Sequence, residues 1–210
     1  NGFKAEYQLD KINKPSKIST TIEQMFDEID RLNGVEQVLL AIYILIPPVR
    51  LDYKQLKIIH NAKELAANKE PNFIYLDKAD NSYISLSEYK GFRFHGTQVT
   101  QLPPRLFNII NRFVGDFDDR PYLFMSGYNL PFNCRYNLPF NTTNFSAYVK
   151  KIMTSIFNEP ITVNDIRHLY ITKFAPINAN GSTKVEIAKG MGHSVHEQVM
   201  YQRLGPPQKL

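Results

Sequence analysis

The segment "VEQVLLAIYILIPPVR", residues 35–50, contains the longest apolar run of the chain and decides its fold. Residues 35–46 are apolar on nearly every side, which predicts a helix buried in the middle of a protein core. Pro47-Pro48 end that helix, because proline has no backbone N–H to donate. Arg50 follows at once, so its charge is expected close to the core and in need of a partner.

A second helix is predicted before this segment, in "STTIEQMFDEIDRLN", residues 19–33. Thr20 and Glu23 have the spacing of a capping box, in which each side chain bonds the other residue's backbone N–H. Apolar residues then recur every three or four positions, as in an amphipathic helix. Asn33-Gly34 are expected to end it, since both tolerate the left-handed conformation found at helix ends.

The pattern changes to short β-rich runs between residues 72 and 103, namely "NFIYLD", "SYISLSEY" and "TQVTQLP". Turn-forming residues separate these runs, which predicts a small antiparallel sheet of three strands. The connection between the second and third runs, "EYKGFRFHG", contains three basic side chains. These are Lys90, Arg93 and His95, and they are expected to cluster at one end of the sheet.

The rest of the chain is predicted to be helical. Pro103-Pro104 begin a helix in "PPRLFNIINRFVGDF", as proline does in a first turn. Further helices are expected in "TNFSAYVKKIMTSIF", "TVNDIRHLYITKF" and "STKVEIAKGMG", with Thr162 and Asn164 as natural caps of the middle one. The predicted fold class is therefore α+β, mainly helical, with a small sheet.

Composition restricts the classes to which the protein can belong. With 210 residues, 43% of them hydrophobic, the chain can bury one good-sized core. The single cysteine, Cys134, excludes an internal disulfide framework and favours an intracellular location. The longest apolar run is shorter than the roughly 20 residues of a membrane helix, so no membrane span is expected. The net charge of +5 favours a polyanionic partner such as nucleic acid.

Two further stretches concern organisation. Residues 1–18 carry no signal pattern, so the sequence is expected to be cut from a longer protein. The hexapeptide "YNLPFN" occurs twice between Tyr128 and Asn141. Because solenoid repeats need longer units and more copies, this duplication is interpreted as a surface loop without chemistry.

Near the C-terminus, "GMGHSVHEQVMYQR", residues 190–203, combines two histidines, a serine and a tyrosine. His193 and His196 are spaced for one helical turn, but a metal site needs further ligands and none stands at a recognisable spacing. Ser194 lacks the G-x-S-x-G elbow of a serine hydrolase. Neither a Walker loop nor a G-x-G-x-x-G occurs, so neither a metal nor a cofactor is expected.

Breaking a DNA strand without metal requires a specific set of side chains. The transition state gathers negative charge on the non-bridging phosphate oxygens, which favours rigid Arg donors around it. A nucleophile must attack in line, and an acid must protonate the leaving 5′ oxygen. Two arginines, a lysine, a histidine and a tyrosine would suffice. The chain offers such a set on predicted elements, namely Arg50, Lys90, Arg167, His193 and Tyr201.

At these positions the sequence resembles the catalytic domain of the tyrosine recombinase (phage-type integrase) family, from about residue 19 to 203. "PPVRLDY" is similar to the family's first Arg motif, although Tyr53 stands where the family has an acidic residue and Asp52 lies one step off. "EYKGF" is similar to the hairpin that carries the family's Lys. "NDIRH" is similar to the H-x-x-R-H box, with Asn164 in place of the first His. "MGHSVHEQVMY" is similar to the final motif, with eight residues from His to Tyr instead of nine.

The resemblance implies a mechanism and its partners. Tyr201 would attack the scissile phosphate and form a 3′-phosphotyrosyl link without ATP. Arg50 and Arg167 would hold the non-bridging oxygens, His193 would donate to one of them, and Lys90 would protonate the leaving oxygen. Double-stranded DNA is the implied partner, held weakly and in a salt-sensitive way by this part of the protein alone.

The resemblance further implies that residues 1–18 are a linker from a missing N-terminal DNA-binding domain and that residues 19–210 are the catalytic domain. In the full-length protein it implies self-association into a tetrameric synapse on DNA. It would work wherever its target DNA lies, in bacterial or viral host cytoplasm or in a nucleus, and abundant Asn, Ile, Lys and Tyr suit the A·T-rich genome of a virus or mobile element. Integration is one such role, beside excision and resolution.

Several alternatives stay open from the sequence. The chain could be a DNA-binding protein that kept the fold without turnover, a type IB topoisomerase-like enzyme that relaxes DNA, or a helical interaction module. Individual residues have simpler interpretations too. Arg50 could pair with Asp52, Arg93 could replace Lys90 as the acid, and Tyr201 could be an ordinary core aromatic. His168 and Asn164 are expected to support the site, and His196 to lie on the surface.

Overall fold

A computed structural model describes residues 18–115, 120–126, 139–176, 178–199 and 201. The predicted class is confirmed, since this part of the protein is mainly helical with a small sheet. In chain order the elements are α1 (Ile22–Glu28), α2 (Gly34–Ile44), β1 (Lys57–Ile59), α3 (Ala62–Ala67), β2 (Asn72–Tyr75), β3 (Tyr83–Leu86), α4 (Phe92–His95), β4 (Gln98–Gln101), α5 (Pro104–Gly115), α6 (Thr142–Phe157), α7 (Val163–Phe174), α8 (Gly181–Gly190) and α9 (Val195–Val199). Single 3₁₀ turns occupy Ile29–Arg31 and Asp52–Gln55.

Helix α2 is the centre of the core, as its apolar sequence predicts. Every residue from Gln37 to Ile44 is buried. α2 packs against α1, α5, α6 and α7, so its sides are covered by other helices. The polar Gln37 is accommodated because its side chain donates to the Ile29 carbonyl and accepts from Arg112. The chain then turns at the two prolines and delivers Arg50 to the edge of this core.

The cap of α1 differs from the prediction by one residue. Thr21 and Gln24 form the capping box in place of Thr20 and Glu23. Thr20 instead donates its hydroxyl and backbone N–H to the Glu159 carboxylate, which also accepts from Ser19. Although desolvation opposes the shift, these hydrogen bonds lower the pKa of Glu159 to about 2. A contact between distant parts of the chain therefore decides which Thr caps the helix.

The sheet has four strands, in the order β1-β2-β3-β4. The three predicted strands are confirmed as β2, β3 and β4 in antiparallel register. The fourth, β1, pairs parallel to β2 and was not predicted, so the expected three-stranded antiparallel sheet is wrong in strand number. β1 has only three residues and is held by tertiary hydrogen bonds, such as Ile58 N–H to the Pro121 carbonyl. α3 lies in the crossover that a parallel pair requires.

Two of the later helices begin where their sequences predict. Thr162 caps α7 and forms a capping box with Asp165, whereas Asn164, the other predicted cap, lies within the first turn of the helix. α5 starts at Pro104, as expected of a proline in a first turn. Ile18, at the end of the predicted linker, is buried in the core. Residues 1–17 and most of the "YNLPFN" duplication, residues 127–138, lie outside the described residues.

Candidate active site

Four of the five predicted site residues lie close to one another in the structure: Arg50, Arg167, His193 and Tyr201. Arg50 follows the Pro-Pro turn after α2, Arg167 lies in the second turn of α7, His193 lies between α8 and α9, and Tyr201 follows α9. We call these four residues the arginine cluster. The residues of this cluster come from segments that lie up to 151 positions apart in the sequence.

Arg167 is the most deeply buried member, with only 1% of its surface exposed. Its Nη1 donates to the Pro48 carbonyl at 2.5 Å and lies 3.4 Å from the Met191 carbonyl, so one guanidinium links the turn after α2 to the turn after α8. Its Nε and Nη2 make no hydrogen bond of normal geometry with the described residues, although the Tyr201 side chain lies close enough to stabilise the charged form. Desolvation lowers the pKa of Arg167, and Tyr201 partly offsets this. Two buried donors on a cation are therefore left for an anion.

His193 is also buried, with 2% of its surface exposed. Its Nδ1 lies 3.0 Å from the Ser194 carbonyl, and because a carbonyl only accepts, Nδ1 carries the proton. Desolvation, together with the nearby Arg167 and Arg50 charges, lowers the pKa of His193 to about 4. The imidazole is therefore neutral at pH 7. Its Nε2 is buried without a partner in the described part of the chain.

Tyr201 closes the cluster. Its ring stacks on His193, with centroids 5.6 Å apart and an angle of 7° between the planes. The guanidinium carbon of Arg167 lies 4.9 Å from the centroid of the same ring. α9 ends at Val199, and the Tyr201 N–H then bonds the Gln198 carbonyl three residues back. A tight turn after a short helix therefore absorbs the eight-residue spacing that a longer regular helix would not.

Arg50 lines a cleft of about 330 Å³ that leads to Arg167. Ser146, Thr162 and Asn164 line the same cleft with oxygen and nitrogen atoms. The Arg50 guanidinium lies 3.8 Å from a Glu197 carboxylate oxygen, and the side chains of both residues are partly exposed. Such a long, exposed ion pair is weak, so an incoming anion can compete for Arg50.

Glu197 was not predicted as a site residue, although the sequence contains a signal for its position. Ser194 and Glu197 have the S-x-x-E spacing of a capping box at the start of α9. The Glu197 N–H donates to the Ser194 hydroxyl, and the Ser194 N–H donates to the Glu197 carboxylate. The same carboxylate faces Arg50, so the cap of α9 and the arginine cluster share one acidic group.

Asn164 and His168 form a second layer behind Tyr201. Asn164 Nδ2 lies 3.1 Å from His168 Nε2, and His168 Nδ1 bonds the backbone carbonyl of Tyr201. Because that carbonyl only accepts, Nδ1 is the protonated nitrogen and Nε2 accepts from Asn164. The His168 ring also packs 4.8 Å from the Tyr201 ring. Asn164 thus occupies the position of the family's first His while its side chain points to His168.

Lys90 is not part of the arginine cluster. It is exposed in the turn after β3, and the described residues offer it neither a hydrogen bond nor an ion pair within reach. Its neighbour Gly91 lies against the backbone of Gly192, since an added Cβ on Gly91 would be 2.7 Å from the Gly192 oxygen. The turn carrying Lys90 therefore abuts the residue just before His193.

The metal hypothesis for the two histidines finds no geometric basis. His193 is buried and faces Tyr201, whereas His196 is exposed on α9. Within the described ranges, three or more His, Cys, Asp or Glu side chains do not gather anywhere in a way that could hold a metal ion.

In that same part of the chain, none of the helices has the length and apolarity needed to cross a bilayer.

Comparison with known proteins supports the fold. The chain is similar to the crystal structure of XerA recombinase with a TM-score of 0.58, 15% sequence identity and 90% of this chain covered. It spans 58% of the length of that recombinase chain. No protein-family model matches the sequence. A search of curated proteins also gives no match. At this identity the similarity shows a tyrosine recombinase catalytic-domain-like fold.

Proposed function

We propose that this chain is the catalytic domain of a site-specific DNA recombinase or integrase that cleaves and rejoins strands through a 3′-phosphotyrosyl intermediate. The observation that carries the proposal is Arg167, a buried cation whose Nε and Nη2 donors make no hydrogen bond of normal geometry with the described residues. Unsatisfied buried donors are costly, and a phosphate supplies the bidentate acceptor that a guanidinium fits. The Tyr201 ring lies against the same guanidinium, and the His193 ring stacks on Tyr201.

The proposed reaction assigns one role to each of these side chains. As the Tyr201 hydroxyl gives up its proton to solvent, its oxygen forms a bond to phosphorus and the bond from phosphorus to the 5′ oxygen breaks. The leaving 5′ oxygen takes up a proton from an acid and becomes a hydroxyl, and the phosphodiester energy stays in the protein–DNA link. Arg50 and Arg167 neutralise the non-bridging oxygens as charge develops on them. Rejoining runs the same step in reverse, so neither ATP nor a metal is required.

His193 needs a second proton to donate to phosphate. In the free protein its Nδ1 proton is directed to the Ser194 carbonyl, and the neutral ring presents a lone pair at Nε2. An anionic phosphate placed beside Nε2 favours the imidazolium form, because an opposite charge stabilises it. Phosphate binding and proton uptake by His193 are therefore coupled in this proposal.

Lys90 is proposed as the acid for the leaving 5′ oxygen. Its turn abuts Gly192, so a DNA strand entering the arginine cluster passes the Lys90 side chain. The ammonium is exposed and long enough to reorient when a strand is present. Arg93 in α4 is the second candidate for this role.

Double-stranded DNA is the proposed partner, with self-association into a tetrameric synapse in the full-length protein. Integration, excision, resolution and relaxation of DNA use the same chemical step and differ in which 5′-hydroxyl attacks the link. A non-catalytic DNA-binding protein with this fold is the second candidate function. Two observations favour it: Asn164 cannot shuttle a proton, and Lys90 lies outside the arginine cluster.

A covalent trapping experiment separates the two functions. Duplexes with a randomised central sequence and a nick beside each candidate cleavage position lose the cleaved fragment, so rejoining is blocked and the adduct accumulates. We expect a denaturant-resistant protein–DNA adduct that disappears in Tyr201→Phe. Tyr122→Phe, a tyrosine outside the cluster, is the matched control and should keep the adduct. DNA binding without an adduct across the whole library would favour the non-catalytic binder.

A further inference from the structure

The connection between β3 and β4 presents an exposed aromatic side chain that the fold does not need. We call residues 89–96 the hairpin tip. Phe94 is 86% exposed and Phe92 is 41% exposed, and they are the two large exposed aromatics of the described residues. Leaving a phenylalanine in water forfeits the stabilisation that burial of its ring would give. An exposed aromatic side chain indicates a binding surface when the residues around it have the chemistry of a particular partner.

The hairpin tip is a built structure. The Tyr89 hydroxyl donates to the Gly96 carbonyl at 2.8 Å, which closes the loop across its base. The Tyr89 and Phe92 rings pack edge to face with centroids 6.3 Å apart. Gly96 has a φ of 64°, a conformation that glycine adopts at little cost. These contacts hold α4 as a formed turn and leave the Phe94 ring directed away from the core.

The surroundings of Phe94 match nucleic acid. Lys90, Arg93 and His95 are exposed on the same short segment, and the tip contains no acidic residue. Basic side chains interleaved with an exposed aromatic ring are the combination that binds backbone phosphates and stacks on bases. An apolar protein partner would not require three cationic side chains around one ring. Charge complementarity therefore favours DNA.

The location of the tip gives it a place on the DNA. Gly91 lies against Gly192, one residue before His193, and Gln98, the first residue of β4, donates to the Lys189 carbonyl. The base of the tip is thus fixed to the chain segment that carries the arginine cluster. A strand whose phosphate occupies that cluster places its neighbouring nucleotides at the tip.

We propose that Phe94 stacks on a base of the DNA next to the phosphate held in the arginine cluster, at a step that is unpaired or opened. Lys90 and Arg93 would flank the stacked base and contact its phosphates. Inserted apolar side chains of this kind unstack a base step and bend the duplex. The inference rests on the proposed function in one respect, namely that DNA phosphate binds in the cluster.

A tryptophan substitution tests the stacking directly, because the chain contains no tryptophan. Phe94→Trp gives a single fluorophore at the tip, and Val185→Trp on exposed α8 gives the matched control. With a short duplex carrying one mismatched pair at low salt, we expect the indole emission of Phe94→Trp to be quenched and protected from acrylamide. The Val185→Trp variant should show neither effect. DNA binding is followed separately by the anisotropy of labelled DNA.

The outcomes distinguish this inference from the proposed function. Saturated anisotropy with unchanged emission from Phe94→Trp would overturn the stacking alone. Failure of the protein to bind either the mismatched duplex or a fully paired one at low salt would overturn both the stacking and the proposed function. Phe94→Ala should weaken binding to the mismatched duplex about tenfold and to the paired duplex less, whereas Phe94→Tyr should restore it. A change in oligomeric state of Phe94→Ala without DNA would instead assign the ring to a protein contact and refute the proposal.

Discussion

The arginine cluster and the hairpin tip lie side by side, yet they differ in burial and in hydrogen bonding. Arg167 and His193 are at most 2% exposed and are fixed by backbone carbonyls, whereas Lys90 and Phe94 are exposed. The first region is formed before any ligand arrives, and its donors are already desolvated. The second is positioned by its base but leaves its side chains in water. Under the proposed function, phosphate binding would thus be preorganised, while contact with the leaving oxygen and the bases would depend on DNA.

The largest expected effect tests the buried half of this comparison. Arg167→Met keeps the volume of the side chain and removes a buried cation that lacks a carboxylate partner. We expect adduct formation to fall more than a thousandfold, because several phosphate donors are lost together. We expect the melting temperature to change little, because removal of two unpaired buried donors offsets the lost bonds to the Pro48 and Met191 carbonyls. Thermal unfolding and covalent trapping measure the two effects.

A large loss of stability in Arg167→Met would contradict this interpretation and make Arg167 a structural link between the two turns it contacts. Lys173→Met, on the exposed side of the same helix, is the matched control and should leave adduct formation unchanged. Lys173 pairs with Glu23 on the surface, away from the arginine cluster.

The next effect tests the exposed half. Lys90→Ala should leave the unfolding temperature unchanged, because the side chain is exposed and bonds nothing in the described structure. Adduct formation should fall about a hundredfold, as expected on loss of a general acid. A substrate with sulfur in place of the 5′ bridging oxygen should restore the rate, because a thiolate leaves without a proton. If the sulfur substrate rescues Arg93→Ala and not Lys90→Ala, Arg93 is the acid.

The pH dependence of stability should distinguish the two regions as well. The pKa of His193 is lowered to about 4 in the folded protein, so between its ordinary value of 6.5 and 4 the unfolded chain binds more protons. The free energy of unfolding should therefore fall as the pH drops through this window, by roughly 3 kcal/mol. Thermal unfolding of His193→Gln should show a smaller fall, and His95→Gln in the tip should behave like the parent protein.

Bound DNA is expected to reverse the sign for His193, since phosphate favours the imidazolium form. A short duplex should therefore stabilise the chain more at pH 5.5 than at pH 7. Without DNA, the Glu159 carboxylate also contributes to the free energy of unfolding. That contribution is lost at lower pH, as the pH falls from 4.5 towards about 2. Equal stabilisation by DNA at both pH values would exclude protonation of His193 on phosphate binding.

The smallest expected effect concerns the support behind the cluster. Asn164→Ala removes the donor to His168, which holds the Tyr201 carbonyl. Loss of one such hydrogen bond costs about 1 kcal/mol, so adduct formation should fall about fivefold. Asn144→Ala, an exposed side chain on α6, is the control. An unchanged rate in Asn164→Ala would leave His168 to orient Tyr201 without Asn164.

Much of the fold was predictable because local physics dominates it. Periodicity and caps predicted α2, α5, α6 and α7 with small errors at their ends. The helix cap of α1 was misplaced by one residue because Glu159, far along the chain, binds Thr20. β1 was missed because three residues carry no periodic signal and tertiary hydrogen bonds hold them.

The site divides in the same way. Residue types and their order, read with the family resemblance, pointed to Arg50, Lys90, Arg167, His193 and Tyr201, and four of these meet in the structure. Glu197 could have been found from its capping-box spacing with Ser194. The link from Asn164 through His168 to the Tyr201 carbonyl could not, because a hydrogen bond across 33 positions leaves no trace in local sequence.

By itself, the sequence determined the helical elements, the turn at Pro47-Pro48 and the residue types available for phosphate chemistry, because propensity and hydrophobic spacing act over a few neighbours. Only the tertiary structure decided that Arg167 and His193 are buried with unpaired donor and acceptor atoms, that the Tyr201 ring contacts both of them, and that Phe94 stays in water. Burial and pairing depend on contacts between distant segments, and the packing of α2, α7 and the turn after α8 sets those contacts.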